Sequence, residues 1–151
     1  MPADPPLNIH ATCVAVTTAD GWRAALLRGP SGAGKSDVAL RMIDAGARLV
    51  SDDRVDLQAV HGILRASPPA ALAGLVEARG AGILRLPVDA ALESAAVALL
   101  VDLVPADRVE RMPEPHVETL LGIAIPALRL AAFEASTPAK IRLALRGARV
   151  S

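Results

Sequence analysis

Eight consecutive residues, Gly29, Pro30, Ser31, Gly32, Ala33, Gly34, Lys35 and Ser36, fit the pattern G-x-x-x-x-G-K-[ST] without a mismatch. Each residue type has a separate reason to be there. Gly29, Gly32 and Gly34 let the backbone turn without a Cβ and aim amide groups at an anion. A helix beginning at this point adds partial positive charge. Lys35 brings a point charge to the outer phosphates, and the Ser36 hydroxyl can complete the shell of a magnesium ion. Pro30 donates no backbone hydrogen bond, but it occupies a free position of the pattern. The expected ligand is a nucleoside triphosphate, with Gly29 to Ser36 as its cradle.

A phosphate cradle alone does not choose between hydrolysis, transfer and mere binding. The next polar cluster, in "LVSDDRVDL" (49–57), bears on that choice. Asp52 and Asp53 directly follow an apolar, strand-like run, and ligand sites of open α/β sheets gather at the carboxyl ends of strands. On an extended segment adjacent side chains point to opposite sides. One carboxylate then faces a metal and the other an incoming nucleophile, the division of labour a kinase requires. A simple GTPase would carry a base-reading N-K-x-D segment, and none is present. A large motor ATPase needs more than 151 residues.

Around these residues, "ATCVAVTT" (11–18) and "WRAALLR" (22–28) read as strands joined by the turn "ADG". "SDVALRMIDA" (36–45) places Val38, Met42 and Ala45 at helical spacing, and Gly46 stands where a left-handed cap ends a helix. "ARLVS" (47–51) is a short strand. "VDLQAV" (55–60) and "ILRAS" (63–67) form a hairpin about His61-Gly62. Residues 68–87 are expected to be a short helix followed by a loop, 95–104 a buried strand, 106–116 a proline-broken loop and 119–130 one or two strands. Thr137-Pro138 opens a closing helix that runs to Gly147. The expected fold class is α/β: a mixed β-sheet holding the phosphate loop, with a few flanking helices.

Composition narrows the setting. The chain is 52% hydrophobic, and its sixteen basic and sixteen acidic residues cancel, so a basic footprint for nucleic acid or membrane surfaces is absent. The longest apolar run, Ala95 to Val101, is far too short to span a bilayer. The N-terminus "MPADPPLNIH" has neither the basic start nor the apolar centre of a secretory signal. The single cysteine, Cys13, sits in an apolar run and fits a buried thiol in a reducing cytoplasm. No His and Cys spacing points to zinc. Aromatics amount to 1%, so the core must be aliphatic, and aromatic stacking platforms are not expected.

The block "GPSGAGKSDVALRMIDAGARLVSDDRVDL" (29–57), together with "LVEARGAGILRL" (75–86) behind Pro68-Pro69, resembles the catalytic domain of bacterial HPr kinase/phosphorylase. The similarity covers about 29–86, is weaker over 9–28, and nearly vanishes after Pro105. The resemblance implies an ATP- and Mg²⁺-dependent kinase acting on a serine of HPr, or of a related carrier of the sugar phosphotransferase system. Asp53 would take the proton of the target serine. Ser36 and Glu77 would be magnesium ligands, with Asp52 supporting the metal or its waters. His10 would sit near the phosphates, although Ala11 follows it where the family commonly has Gly. Arg111 in "VERM", with Arg108 as runner-up, would stabilise the transferring group. The family's fold resembles the nucleotide core of phosphoenolpyruvate carboxykinase, and its members are hexameric. Residues 1–151 then read as one catalytic domain, without the separate domain that longer members carry ahead of it. Asp37 replaces the usual Glu after G-K-S. The family's arginine-proline-glycine-arginine stretch for phosphorolysis has no match, "ALRLAAFEASTPAK" (127–140) standing there instead. Phosphorolysis is therefore expected to be weak or absent. Rival readings are a small-molecule kinase using the same loop and a non-catalytic ATP-sensing module.

Overall fold

The computed structural model describes residues 5–147. The outermost residues of the expected domain, 1–4 and 148–151, lie outside the described residues. Nine strands form one mixed sheet: β1 (Leu7–His10), β2 (Thr12–Thr18), β3 (Gly21–Arg28), β4 (Arg48–Ser51), β5 (Arg54–Val60), β6 (Ile63–Ser67), β9 (Ala95–Leu103), β10 (His116–Leu120) and β11 (Ile123–Leu130). Two more, β7 (Leu75–Ala78) and β8 (Gly82–Arg85), pair only with each other. The order along the main sheet is β1-β5-β6-β9-β3-β2-β4. The sheet forks at β9. Its first residues pair with β6, antiparallel, and its last with β11, parallel, while β3 runs parallel along the other edge.

Strands β2 and β3 are covered on both faces, and their alternation sorts the core. Cys13, Ala15, Ala24 and Leu26 enter one apolar cluster with Val55, Leu57 and Leu100. Val14, Val16, Ala25 and Leu27 enter the other, against helices α1 (Lys35–Asp44) and α2 (Thr137–Leu145). Cys13 is fully buried as expected, and burial pushes its thiol far above the usual range. Helix α1 ends as anticipated: Gly46 has φ 104°, its N–H donates to Ile43 O, and the Ala47 N–H donates to Met42 O. That pair of bonds is a Schellman motif.

Two expectations change. The helix and loop foreseen in 68–87 are a single 3₁₀ turn (Ala70–Leu72) followed by the β7–β8 hairpin. Every residue of β8 is exposed, so it carries no apolar alternation to read. Strand β1, hidden behind a proline-rich start, pairs antiparallel with β5, setting Ile9 opposite Val55 and His10 opposite Arg54. Among the described residues no helix is long and apolar enough to cross a membrane.

At the root of the glycine loop, Arg28 at the end of β3 joins three strands. Its guanidinium donates to both carboxylate oxygens of Asp102 on β9 (2.9 and 3.1 Å) and to both of Glu118 on β10 (2.8 and 2.5 Å). The hydrogen bonds to Arg28 hold the Glu118 carboxyl below its usual range. A carboxyl whose pKa is depressed by folding stabilises the fold above its unfolded value and loses that contribution as pH falls toward its folded value. The urea midpoint of the wild type should therefore fall more steeply below about pH 4 than that of Glu118→Gln. Parallel curves for the two proteins between pH 7 and pH 3 would contradict this role.

Candidate functional site

Residues 29–36 leave the carboxyl end of β3 and enter α1. The close approach of neighbouring side chains dictates glycine at two points. A Cβ on Gly29 would lie 2.9 Å from Ala33 Cβ, and one on Gly34 would lie 2.6 Å from Ala132 Cβ. Gly34 also has φ 100°, a left-handed value that side chains disfavour. Lys35 is 7% exposed and folds back over the loop, its ammonium donating to the carbonyls of Gly29 (2.7 Å) and Pro30 (3.0 Å). A cation held over a glycine turn at a helix N-terminus is a site for anionic oxygen.

Beside the loop, Asp52 is a hub. It is 4% exposed. The Ser36 hydroxyl donates to it, 2.8 Å from Oδ1 and 3.0 Å from Oδ2. The Thr12 hydroxyl donates to Oδ1 at 2.8 Å, and the Glu77 backbone N–H to Oδ2 at 2.8 Å. One carboxylate thus ties β2, α1 and β7 to the end of β4. Asp53 behaves differently. It takes φ 71°, its carbonyl accepts from the Ala11 N–H, and its side chain is 65% exposed, with Oδ1 3.4 Å from Nδ1 of His10. The two carboxylates do face different ways, but the cause is this left-handed corner and not the pleat of an extended strand. Residues tolerant of left-handed φ include Asp and Asn, whose short polar side chains bond locally.

The loop and Asp53 share one cleft of about 410 Å³, lined by Ser31, Gly32, Gly34, Lys35 and Ser36 on the loop and by His10, Asp53, Glu77, Arg79 and Phe133 around it, whereas the buried Asp52 is not among its lining residues. Glu77 lies on β7, not in a loop. Among the described residues no three His, Cys, Asp or Glu side chains gather as a ligand cage for a metal. Mg²⁺ does not require one: it keeps several waters and uses one or two carboxylates with substrate phosphates. The hard oxygen donors of Ser36 and Glu77, braced by Asp52, fit that habit.

Arg111 sits in an exposed bend and is not among the residues lining this cleft. Arg108 lines a second cleft of about 260 Å³ with Asp102, Glu110, Glu114, His116 and Arg129. The guanidinium in the first cleft belongs to Arg79, in the turn that follows β7, two residues past Glu77. It belongs to the motif "E-x-R-G-x-G-I", whose pattern alone gives the arginine no role.

The model of the HPr Serine kinase C-terminal domain matches residues 5–142. This chain belongs to that family. The HPr kinase C-terminal fold extends over nearly all of it: a solved structure, the Hpr(Ser) kinase/phosphatase from Coxiella burnetii, superposes with a TM-score of 0.80 and 26% identity, covering 95% of this chain and 91% of that one. Among curated relatives, the HPr kinase/phosphorylase of Clostridium novyi (strain NT) is 47% identical over 62 residues, 41% of this chain and 20% of the relative. That of Clostridium acetobutylicum is 44% identical over 62 residues, with the same coverage. The matched segment thus spans about a fifth of the length of these relatives.

Proposed function

We propose that this chain is an ATP- and Mg²⁺-dependent protein kinase that phosphorylates a serine of HPr or of a related phosphotransferase-system carrier in the cytoplasm. The observation that carries the reading is the sharing of one open cleft by the glycine loop with Lys35 and by an exposed carboxylate, Asp53. Family membership supports the kinase class, and the curated relatives named above are HPr kinase/phosphorylases. The loop and sheet are read as akin to the nucleotide core of phosphoenolpyruvate carboxykinase, and the working form as a homohexamer.

In this reading the loop amides and Lys35 take up charge on the triphosphate as it shifts in the transition state. Asp53 accepts the hydrogen bond of the carrier's serine and removes its proton. The serine oxygen bonds to the γ-phosphorus, the bond from that phosphorus to the bridging oxygen breaks, and ADP leaves with the electron pair. Mg²⁺, when bound, supplies neutralising charge at the phosphate oxygens. Ser36 and Glu77 would hold it, and Asp52 orients both. Asp52 already accepts from three donors, so its part is support through these groups or through waters. His10 is placed beside Asp53 to steady it. Arg79, which lines the cleft, takes the charge-stabilising role in place of Arg111, which does not. An exposed base suits a hydroxyl presented on a protein surface better than a metabolite enclosed in a pocket.

Phosphorolysis is proposed to be weak. It requires basic groups for inorganic phosphate beside the γ site, whereas the 127–140 segment sets Ala132 and Phe133 against Gly34. The test is transfer of labelled γ-phosphate to a serine of purified carrier, with the reverse assay of pyrophosphate released from phosphoserine carrier and phosphate. Absence of transfer under tight ATP binding would replace the kinase by a sensing module. Fast pyrophosphate release would overturn the phosphorolysis part.

A further inference from the structure

This inference rests on the reading of the cleft as an ATP site. The chain has one phenylalanine, one tryptophan and no tyrosine. Phe133 is not in the core: it is 72% exposed and lines the cleft. A lone exposed apolar residue is ordinary, so its setting must carry the argument.

The backbone on both sides of Phe133 is fastened to α1. The Arg41 guanidinium donates to the carbonyl of Ala132 through Nη2 and to that of Glu134 through Nη1 (3.0 Å). Arg41 is itself braced by Asp37, Nε to Oδ2, at 3.0 Å. The Thr137 hydroxyl donates to the Ala131 carbonyl, and the Thr137 N–H to that of Glu134. The ring is therefore presented by an anchored turn. It also touches the loop: a Cβ on Gly34 would lie 2.9 Å from Phe133 Cζ and 3.2 Å from Cε1. The aromatic edge reaches the phosphate cradle only because residue 34 is glycine.

The helix separates two sides of the cleft. Ser36 faces Asp52, on the side of Glu77. Asp37, about 100° further round the helix, faces Arg41, from which the Phe133 turn hangs. If the reacting phosphate lies by the carboxylates, the nucleoside extends away from them, toward Asp37, Leu40 and Phe133. We propose that Phe133 is the platform on which the base of the bound nucleotide stacks. A π-face accepts any base, which fits a chain without a base-reading N-K-x-D segment.

The test titrates the full chain with MgATP and with Mg-tripolyphosphate, which has the phosphates but no base. Phe133→Ala should weaken ATP about ten-fold and leave tripolyphosphate unchanged, and Phe133→Trp should restore ATP binding. Equal ATP affinity in wild type and Phe133→Ala would overturn the proposal. So would equal loss of both ligands, which would make Phe133 a prop for the loop. Unchanged ATP affinity with impaired transfer to the carrier would also overturn it, assigning the ring to the protein substrate. A wild type that binds tripolyphosphate but not ATP, or neither, would refute the ATP reading itself and the platform with it.

Discussion

Asp53→Asn should bind ATP like the wild type and transfer phosphate about 10²- to 10⁴-fold more slowly, the usual contribution of a positioned base. The substitution is well matched to its site. Asp53 has φ 71°, a conformation that Asn tolerates and most residues do not, so the corner between β4 and β5 keeps its shape. Size and the capacity to accept a hydrogen bond survive at one oxygen, and the proton sink is lost. Its side chain is mostly exposed and hydrogen-bonds none of the loop residues among the bonds described above, so the cradle should keep its affinity. Lys35→Ala is the contrast. It removes the cation over the Gly29 and Pro30 carbonyls, so phosphate affinity and rate should fall together. Equilibrium ATP titration paired with single-turnover transfer separates the two variants. Transfer by Asp53→Asn at the wild-type rate would show that some other group takes the serine proton.

Much of this was legible from residue types. Gly29 to Ser36 announced a phosphate site because each position answers a backbone or charge requirement that few other residues meet. Strands β2, β3 and β9 were legible because burial on both faces leaves long β-branched and aliphatic runs. What escaped depends on contacts distant in sequence. Strand β1 is four residues with little buried surface, and only its pairing with β5 makes it a strand and sets His10 near Asp53. The β7–β8 hairpin carries no apolar periodicity on its outer strand, so Glu77 looked like a loop residue, and the turn that holds Arg79 could not be placed. Arg79 could have been preferred to Arg111 because it stands in the same motif as Glu77, but its presence in the cleft depends on how that hairpin folds over α1. For the Asp pair, the outcome was foreseen through the wrong cause: a left-handed residue, not strand alternation, turns Asp53 outward. Phe133 was passed over because composition says how many aromatic rings a chain has and nothing of where they stand.

The hub beneath the site should prove the weakest point for the fold. Asp52 gathers the hydroxyls of Thr12 and Ser36 and the N–H of Glu77 on two carboxylate oxygens. Asp52→Ala would leave the fully buried Thr12 hydroxyl and the Glu77 N–H without their acceptor. Each orphaned donor costs about 1–3 kcal/mol, and the small cavity adds to it. A loss of about 3–5 kcal/mol is expected, a large share of the 5–15 kcal/mol typical of a whole domain. Asp52→Asn should cost less. Its one oxygen can still serve the Glu77 N–H, which cannot reorient, and hydroxyls can rotate to accept from the new amide. The order wild type, then Asn, then Ala should appear in urea midpoints at constant slope. With the hub gone, Ser36 loses its orientation and β7 its tie to α1, so metal-dependent ATP affinity should fall in the same order. Equal midpoints for Asp52→Ala and wild type would mean that water replaces the carboxylate without cost, and that β7 is held to the loop by something other than Asp52.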